Sequence, residues 1–152
     1  MGSASDWDTM SRSSDTLDLL NISYETRVIS AHRAPDELTE YSSSASSRGI
    51  EVIIAGAGGA AHLAGVISAH TILPVLGVPM ESQSLKGLDS LLSTVQMPSG
   101  VPVATFGIGS AGSSNAALFA AAILGLTNET ISNGIQKYRD KKAQSVLDSK
   151  LD

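Results

Sequence analysis

Glu51-Val52-Ile53-Ile54-Ala55-Gly56-Ala57-Gly58-Gly59-Ala60-Ala61 decides the fold of this chain. After Glu51 the residues are continuously apolar, as expected of a strand covered on both faces rather than wetted on one. A glycine cluster, Gly56 to Gly59, then opens a helix expected over roughly 60–70. The same unit recurs downstream. Val75 to Val78 reads as a short strand before a helix from Leu88 to Val95. Val101 to Phe106 reads as another strand, followed by a glycine-rich turn (Gly107 to Gly112) and an alanine-rich helix from Ser114 to Leu124. Upstream, Tyr24, Thr26 and Val28 alternate within a strand expected over 24–29. Pro35, suited to the first position of a helix, opens one that runs to about Ser47 with Leu38, Tyr41 and Ala45 on one face, and Gly49 is its stop signal. Trp7, Met10, Leu17 and Leu20 recur at helical spacing between Asp6 and Leu20, and from Thr127 a polar helix carries Ile131, Ile135 and Tyr138 on one side. Strands alternating with helices argue for one α/β domain over 1–152, a doubly wound parallel sheet.

The start of the chain departs from that pattern. Met1-Gly2-Ser3-Ala4-Ser5-Asp6 reads as a strand-to-helix loop, yet no strand precedes it. The first strand of a doubly wound sheet is usually central, and its loss leaves a slot in the core. Several apolar residues are therefore expected upstream of Met1 in the natural protein, the alternative being a fold that dispenses with a central strand.

Composition narrows the function. Of the 152 residues none is cysteine, which removes disulfides and thiolate zinc sites and fits a cytoplasmic location. Fifteen acids against ten bases give a net charge of -5 with no basic cluster, so nucleic acid is not an expected partner. The most apolar region, Ala116 to Leu126, is too short to span a bilayer, and no signal peptide is expected before the first motif.

Chemistry concentrates at two turns. Ser30-Ala31-His32-Arg33-Ala34-Pro35-Asp36 places an imidazole and a guanidinium on a strand-to-helix turn, where α/β sheets bind ligands. A His there can exchange protons near neutral pH, and an Arg can clamp a phosphate. The competing reading is a surface turn that happens to carry both. Gly56-Ala57-Gly58-Gly59-Ala60-Ala61 fits a dinucleotide fingerprint, but it stands in the third unit of the chain and lacks the acid expected about twenty residues on, Glu81 being poorly placed for a ribose. An anion pocket built from helix-start amides is the better inference. His62 and His70 are eight residues apart, not at metal-ligand spacing, and His62 is expected to bond loop carbonyls. No G-x-S-x-G elbow supports a hydrolase. Ser3, Ser5 and Asp6 form a hydroxyl-rich loop suited to ribose or phosphate, although Asp6 can equally cap the helix it precedes.

Several longer signatures occur in order: Met1-Gly2-Ser3-x-Ser5-Asp6-Trp7, Ser30-Ala31-His32-Arg33-x-Pro35-Asp36, Ala55 to Leu63, Leu76-Gly77-Val78-Pro79, Asp89-Ser90-Leu91-Leu92, Val95-Gln96-Met97-Pro98 and Asn115-Ala116-Ala117-Leu118. Together they resemble the PurE family of purine biosynthesis from Met1 to about Gly125. Arg33 resembles the bacterial-type mutase branch rather than the carboxylase branch, which typically carries Lys there. The resemblance implies a flavodoxin-like homo-octamer with no metal or organic cofactor, its tail (127–152) packing on neighbouring subunits. It implies a ribonucleotide substrate, 5-(carboxyamino)imidazole ribonucleotide, whose carboxylate moves from the exocyclic nitrogen to carbon 4. His32 would be the general acid/base. Ser3, Asp6 and Arg33 would bind the nucleotide, Ser5 and Ser30 the phosphate, and Ala57, Gly58 and Leu63 would line the pocket for the carboxylate and base. No ATP-binding motif appears, so a separate ATP-dependent ligase would make the carbamate. Ala34 stands where the family usually has Thr, and Ala64 where it usually has Pro. The alternatives are a carboxylase using free CO2 and a non-catalytic nucleotide-binding module.

Overall fold

Three parallel strands organise the chain in the computed structural model, which describes residues 1–150. They are β1 (Ile53–Ala57), β2 (Val75–Pro79) and β3 (Ala104–Thr105), in the order β1-β2-β3. β1 and β2 pair from Ile53 opposite Val75 to Ala57 opposite Pro79, while β3 adds only the pairs Leu76–Ala104 and Gly77–Thr105. Every residue of β2 is buried, so it is the inner strand. Among the described residues six α-helices flank the sheet: α1 (Trp7–Leu19), α2 (Pro35–Ser44), α3 (Leu63–His70), α4 (Leu88–Val95), α5 (Ser110–Leu124) and α6 (Glu129–Leu147). The fold is an open, flavodoxin-like α/β sheet between helical layers.

Alternation along β1 sends side chains to two separate cores. Ile53 and Ala55 pack with Leu38 and Ala45 from the α2 region and with Leu63 and Ile67 of α3. On the opposite face Leu76 and Val78 of β2 pack with Met10 of α1 and with Ala116 and Ala120 of α5. α1 and α5 meet closely because the seam carries small polar residues. The buried Ser13 hydroxyl donates to the Ser113 carbonyl at 2.8 Å, and the Ser13 N–H donates to the Ser113 hydroxyl at 3.1 Å. Gly77 admits α4 in the same way: a Cβ there would lie 2.5 Å from Thr94 Cγ2 and 2.9 Å from Val103 Cγ1.

The expected boundaries shift modestly. Pro35 opens α2, and Gly49, at φ +84°, closes the turn that follows it. The strand expected over 51–55 runs over Ile53–Ala57, and that expected over 101–106 shrinks to two residues. α5 starts at Ser110 rather than 114, directly after the turn at Gly109 (φ +79°).

The strand expected over 24–29 is corrected: this stretch joins no sheet. Its backbone partner is Met1, whose ammonium donates to the Arg27 carbonyl at 2.9 Å and whose carbonyl accepts from the Ile29 N–H at 2.9 Å. The next residue turns the other way, the Gly2 N–H donating to the Gly56 carbonyl of β1 at 3.1 Å. Met1 and Gly2 therefore link 24–29 to β1 by backbone bonds to either side. Beyond Met1 the space between these two walls is a cavity of about 550 Å³. A strand needs a neighbour to bond, and 24–29 has one for only its last turn of pleat.

Candidate active site

The sheet's carboxyl edge gathers the polar loops. β1 ends at Ala57 and runs into the glycine turn, and β2 ends at Pro79 before Met80, Glu81 and Ser82. The loop from Gly2 to Asp6 and the turn from Ser30 to Arg33 reach the same edge. Between them lies a cavity of about 390 Å³. It is smaller than the slot beside Met1, where Arg27 and Arg48 are already paired with Glu37 and Glu25, but it gathers two histidines with Asp6 and Arg33, which makes it the candidate for chemistry. All of Ser3, Ser5, Asp6, Ser30, His32, Arg33, Ala57, Gly58 and Leu63 line it. Leu63 contributes from below as a buried core residue, with the polar groups around the opening.

The first loop is a capped turn. Ser3 precedes a single 3-10 turn (Ala4–Asp6), and its hydroxyl accepts from the Ser5 N–H at 3.3 Å and from the Ser5 hydroxyl at 2.8 Å. The Asp6 carboxylate reaches back to accept from the Ser3 N–H at 3.1 Å, closing a capping box. Asp6 thus caps the turn rather than α1. Burial pushes the Asp6 carboxyl above its ordinary value, against the lowering effect of the Ser3 N–H, the Met1 ammonium and Arg33. The Met1 ammonium is pushed down by its own burial and partly restored by Asp6.

Across the cavity, the Arg33 guanidinium donates to the Gly2 carbonyl at 3.1 Å, which leaves its remaining N–H groups for an anion. His32 stands beside it on an open turn. Its Nε2 lies 2.9 Å from His62 Nδ1, with the rings nearly perpendicular and their centroids 5.0 Å apart. His62 was expected to bond loop carbonyls; its ring instead meets His32. The two rings meet from the turn after residue 29 and the turn after β1, thirty residues apart in the chain.

The glycine turn is held from behind. The Gly59 N–H donates to the buried Ser90 hydroxyl of α4 at 2.9 Å, so this amide is already used. The Ala61 and His62 amides bond back within the turn. Among the described residues no acceptor takes the amides of Gly58 and Ala60, and these two are free for a carboxylate. Glu81 and Ser82 were not singled out as site residues, although their position just past β2 on the same edge was a usable signal. Ser82 is pinned, donating to Asp89 at 2.6 Å and accepting from the Gly87 N–H at 3.0 Å. Among the described residues no three His, Cys, Asp or Glu side chains come together as metal ligands.

Residues 1–145 match the model of the AIR carboxylase family. The chain belongs to the AIR carboxylase family. It is 56% identical over 147 residues to the N5-carboxyaminoimidazole ribonucleotide mutase of Vibrio parahaemolyticus, covering 97% of this chain and 91% of that protein. The Bacillus subtilis protein of the same name is 56% identical over 149 residues, covering 98% and 92%. The chain is also 52% identical, over its full length, to 15% of a bifunctional purine synthesis protein of Dictyostelium discoideum. Among solved structures, Treponema denticola PurE superposes with a TM-score of 0.85 at 27% identity, covering 97% of this chain and 90% of that one. No helix among the described residues is long and apolar enough to cross a membrane.

Proposed function

We propose that this member of the AIR carboxylase family is a 5-(carboxyamino)imidazole ribonucleotide mutase, with His32 as its general acid/base. The observation that carries the reading is the single cavity that puts His32 and Arg33 opposite Ser3 and Asp6 and above the glycine turn. The names of the relatives supply the substrate class.

The chemistry fits these groups. Protonation of the carbamate nitrogen by His32 breaks its bond to the carboxyl carbon, giving CO2 and a free amine. Carbon 4 of the ring, made nucleophilic by that amine, attacks the CO2. His32, now neutral, removes the carbon 4 proton and returns to its starting form, so protons balance. Such proton transfer is typically worth about 10²–10⁴-fold. The rest is holding CO2 near the ring and away from water, a task for the glycine turn with substrate bound over it. The free amides of Gly58 and Ala60 suit the carboxylate, since an amide binds it without competing for its proton. Ser3 and Asp6 take the ribose, and Arg33, Ser5 and Ser30 the phosphate, while Ala57 and Leu63 form the apolar floor.

The same reading gives a homo-octamer in the cytoplasm, free of metal and organic cofactor, fed by a separate ATP-dependent ligase. An apolar stripe on α4, with Leu88, Leu92 and Val95 about half-exposed, supports assembly, as does α6, which packs on α5 with none of its residues buried. The remainder of the 127–152 tail, residues 151 and 152, lies outside the described residues.

The test is to supply the carbamate substrate without ATP, metal or bicarbonate and to follow the ultraviolet spectrum for the carbon 4 carboxylate. Product is expected, and His32→Asn should bind the nucleotide yet lose turnover. Full turnover by that variant would remove His32 from the role. Product only from aminoimidazole ribonucleotide plus CO2 would mark a carboxylase, and binding without either reaction a non-catalytic module.

A further inference from the structure

One ionisable side chain at the site cavity has no partner. Glu81 lines the cavity together with His32, His62, Asp6 and Arg33. The two rings meet each other, Asp6 accepts from the Ser3 N–H, and Arg33 donates to the Gly2 carbonyl. Glu81 is exposed, and among the described residues no ion pair engages it. Its place is nevertheless fixed from both sides. Before it, the Met80 N–H donates to the Ala57 carbonyl at 2.9 Å, and Met80 Cβ stands 3.2 Å from where a Cβ on Gly58 would lie. Glu81 therefore leaves the sheet directly beside the glycine turn. After it, the Ser82 hydroxyl donates to Asp89 of α4 at 2.6 Å and accepts from the Gly87 N–H at 3.0 Å. That hydroxyl holds the Asp89 carboxyl below its ordinary value, so the anchor stays ionised. Lys86 and Gly87, at φ +52° and +89°, close the turn into α4. A Cβ on Gly87 would lie 2.6 Å from Ile108 Cγ2, so the turn is tight as well as tied.

A free carboxylate beside an anion pocket repels its ligand unless the ligand brings a donor to it. The carbamate nucleotide has few donors: the ribose hydroxyls and the N–H of the exocyclic nitrogen. Ser3 and Asp6 take the ribose from the opposite arm of the cavity, whereas Glu81 stands at the glycine turn, where the carboxylate end of the substrate is placed. We propose that Glu81 orients the substrate by accepting the N–H of the exocyclic nitrogen, and that Asp89, acting through Ser82, is the positioning residue that aims it. The assignment rests on the mutase reading of the same site. It adds no proton transfer: the nitrogen keeps that hydrogen in substrate, intermediate and product, and His32 alone supplies and removes the mobile proton. What changes is the strength of the bond. When His32 protonates the nitrogen, its N–H groups become cationic donors, and a hydrogen bond between opposite charges is shorter and about twice as strong as a neutral one. Glu81 thus binds the protonated nitrogen more tightly than the resting carbamate, and only such a difference speeds the chemical step.

The test measures kcat and KM for carboxylate transfer in the full chain and its variants. Glu81→Ala is expected to lower kcat by about tenfold with KM within about twofold, the mark of an interaction made mainly in the transition state. Glu81→Gln keeps an oxygen acceptor without its charge, and should recover most of the loss, to within about threefold of the parent chain. Asp89→Ala frees Ser82, so it should lower kcat by about fivefold alone yet add nothing to Glu81→Ala, because the two act through one group. Undiminished kcat in Glu81→Ala, or a Gln variant no better than Ala, would overturn the role of Glu81. Additive losses would overturn positioning by Asp89. A parent chain without turnover would refute the mutase reading and this assignment with it, whereas parent turnover matched by Glu81→Ala would refute this assignment alone.

Discussion

Replacing Ser90 by alanine isolates what fixes the glycine turn. The Ser90 hydroxyl is fully buried and accepts the Gly59 N–H at 2.9 Å, while Gly59 itself is half-buried at φ +67°. Without the hydroxyl that N–H loses its protein partner. The penalty for an unsatisfied buried donor is about 1–3 kcal/mol. Water can reach a half-buried turn, which puts Ser90→Ala at the low end, about 1 kcal/mol. For a domain of this size that is a fall in Tm of about 2–4 °C. If the turn must be held for substrate to bind, the same energy appears as a rise in KM of up to about fivefold, with kcat nearly unchanged. The assay is thermal melting beside initial rates of carboxylate transfer followed in the ultraviolet. An unchanged Tm would refute the energetic argument, and a lowered Tm with unaltered KM would show that the turn's anchoring does not reach the site.

Three further outcomes are expected. Ala34→Thr should raise Tm by about 2–4 °C: Ala34 occupies the cap of α2 with no side-chain bond, and a hydroxyl there is worth about 1 kcal/mol. Asp6→Asn should raise Tm at neutral pH. The Asp6 carboxyl is held above its ordinary value by burial, so its stabilising contribution is complete at low pH and lost as pH rises through the folded value. The gain of the variant should therefore vanish in acid, and a gain that persists there would contradict the assignment. His62→Ala removes the ring that meets His32 Nε2, and should lower kcat by at least about tenfold with little change in KM, as loss of positioning does. A change confined to KM would make His62 a binding residue instead.

Much of this architecture was legible because local signals were strong. A continuous apolar run before a glycine cluster marked β1, a short apolar run marked β2, Pro35 and Gly49 bracketed α2 and its terminal turn, and helical spacing marked α1. What failed were readings that depend on a neighbour. The alternation at 24–29 is a genuine strand pattern, but a strand exists only through its partners, and those residues meet one pair of bonds at Met1. β3 shrank to Ala104–Thr105 for a related reason, since the pattern over 101–106 says nothing of how much of it β2 can reach. His62 was visible in its motif, yet its relation to His32 spans thirty residues and is set by tertiary geometry alone.

The same geometry couples the slot to the chemistry. Gly2 is the joint: its N–H is fixed to Gly56 of β1, and its carbonyl holds the Arg33 guanidinium. Ser3, Ser5 and Asp6 follow at once as a capped turn whose position is inherited from Gly2. The arm of the site assigned to the ribonucleotide is thus hung from Met1 and Gly2, between 24–29 and β1. The arm assigned to the carboxylate hangs instead from β1 and from Ser90 of α4. Loosening the slot should therefore disturb nucleotide binding before it disturbs the glycine turn, whereas loosening Ser90 should do the reverse.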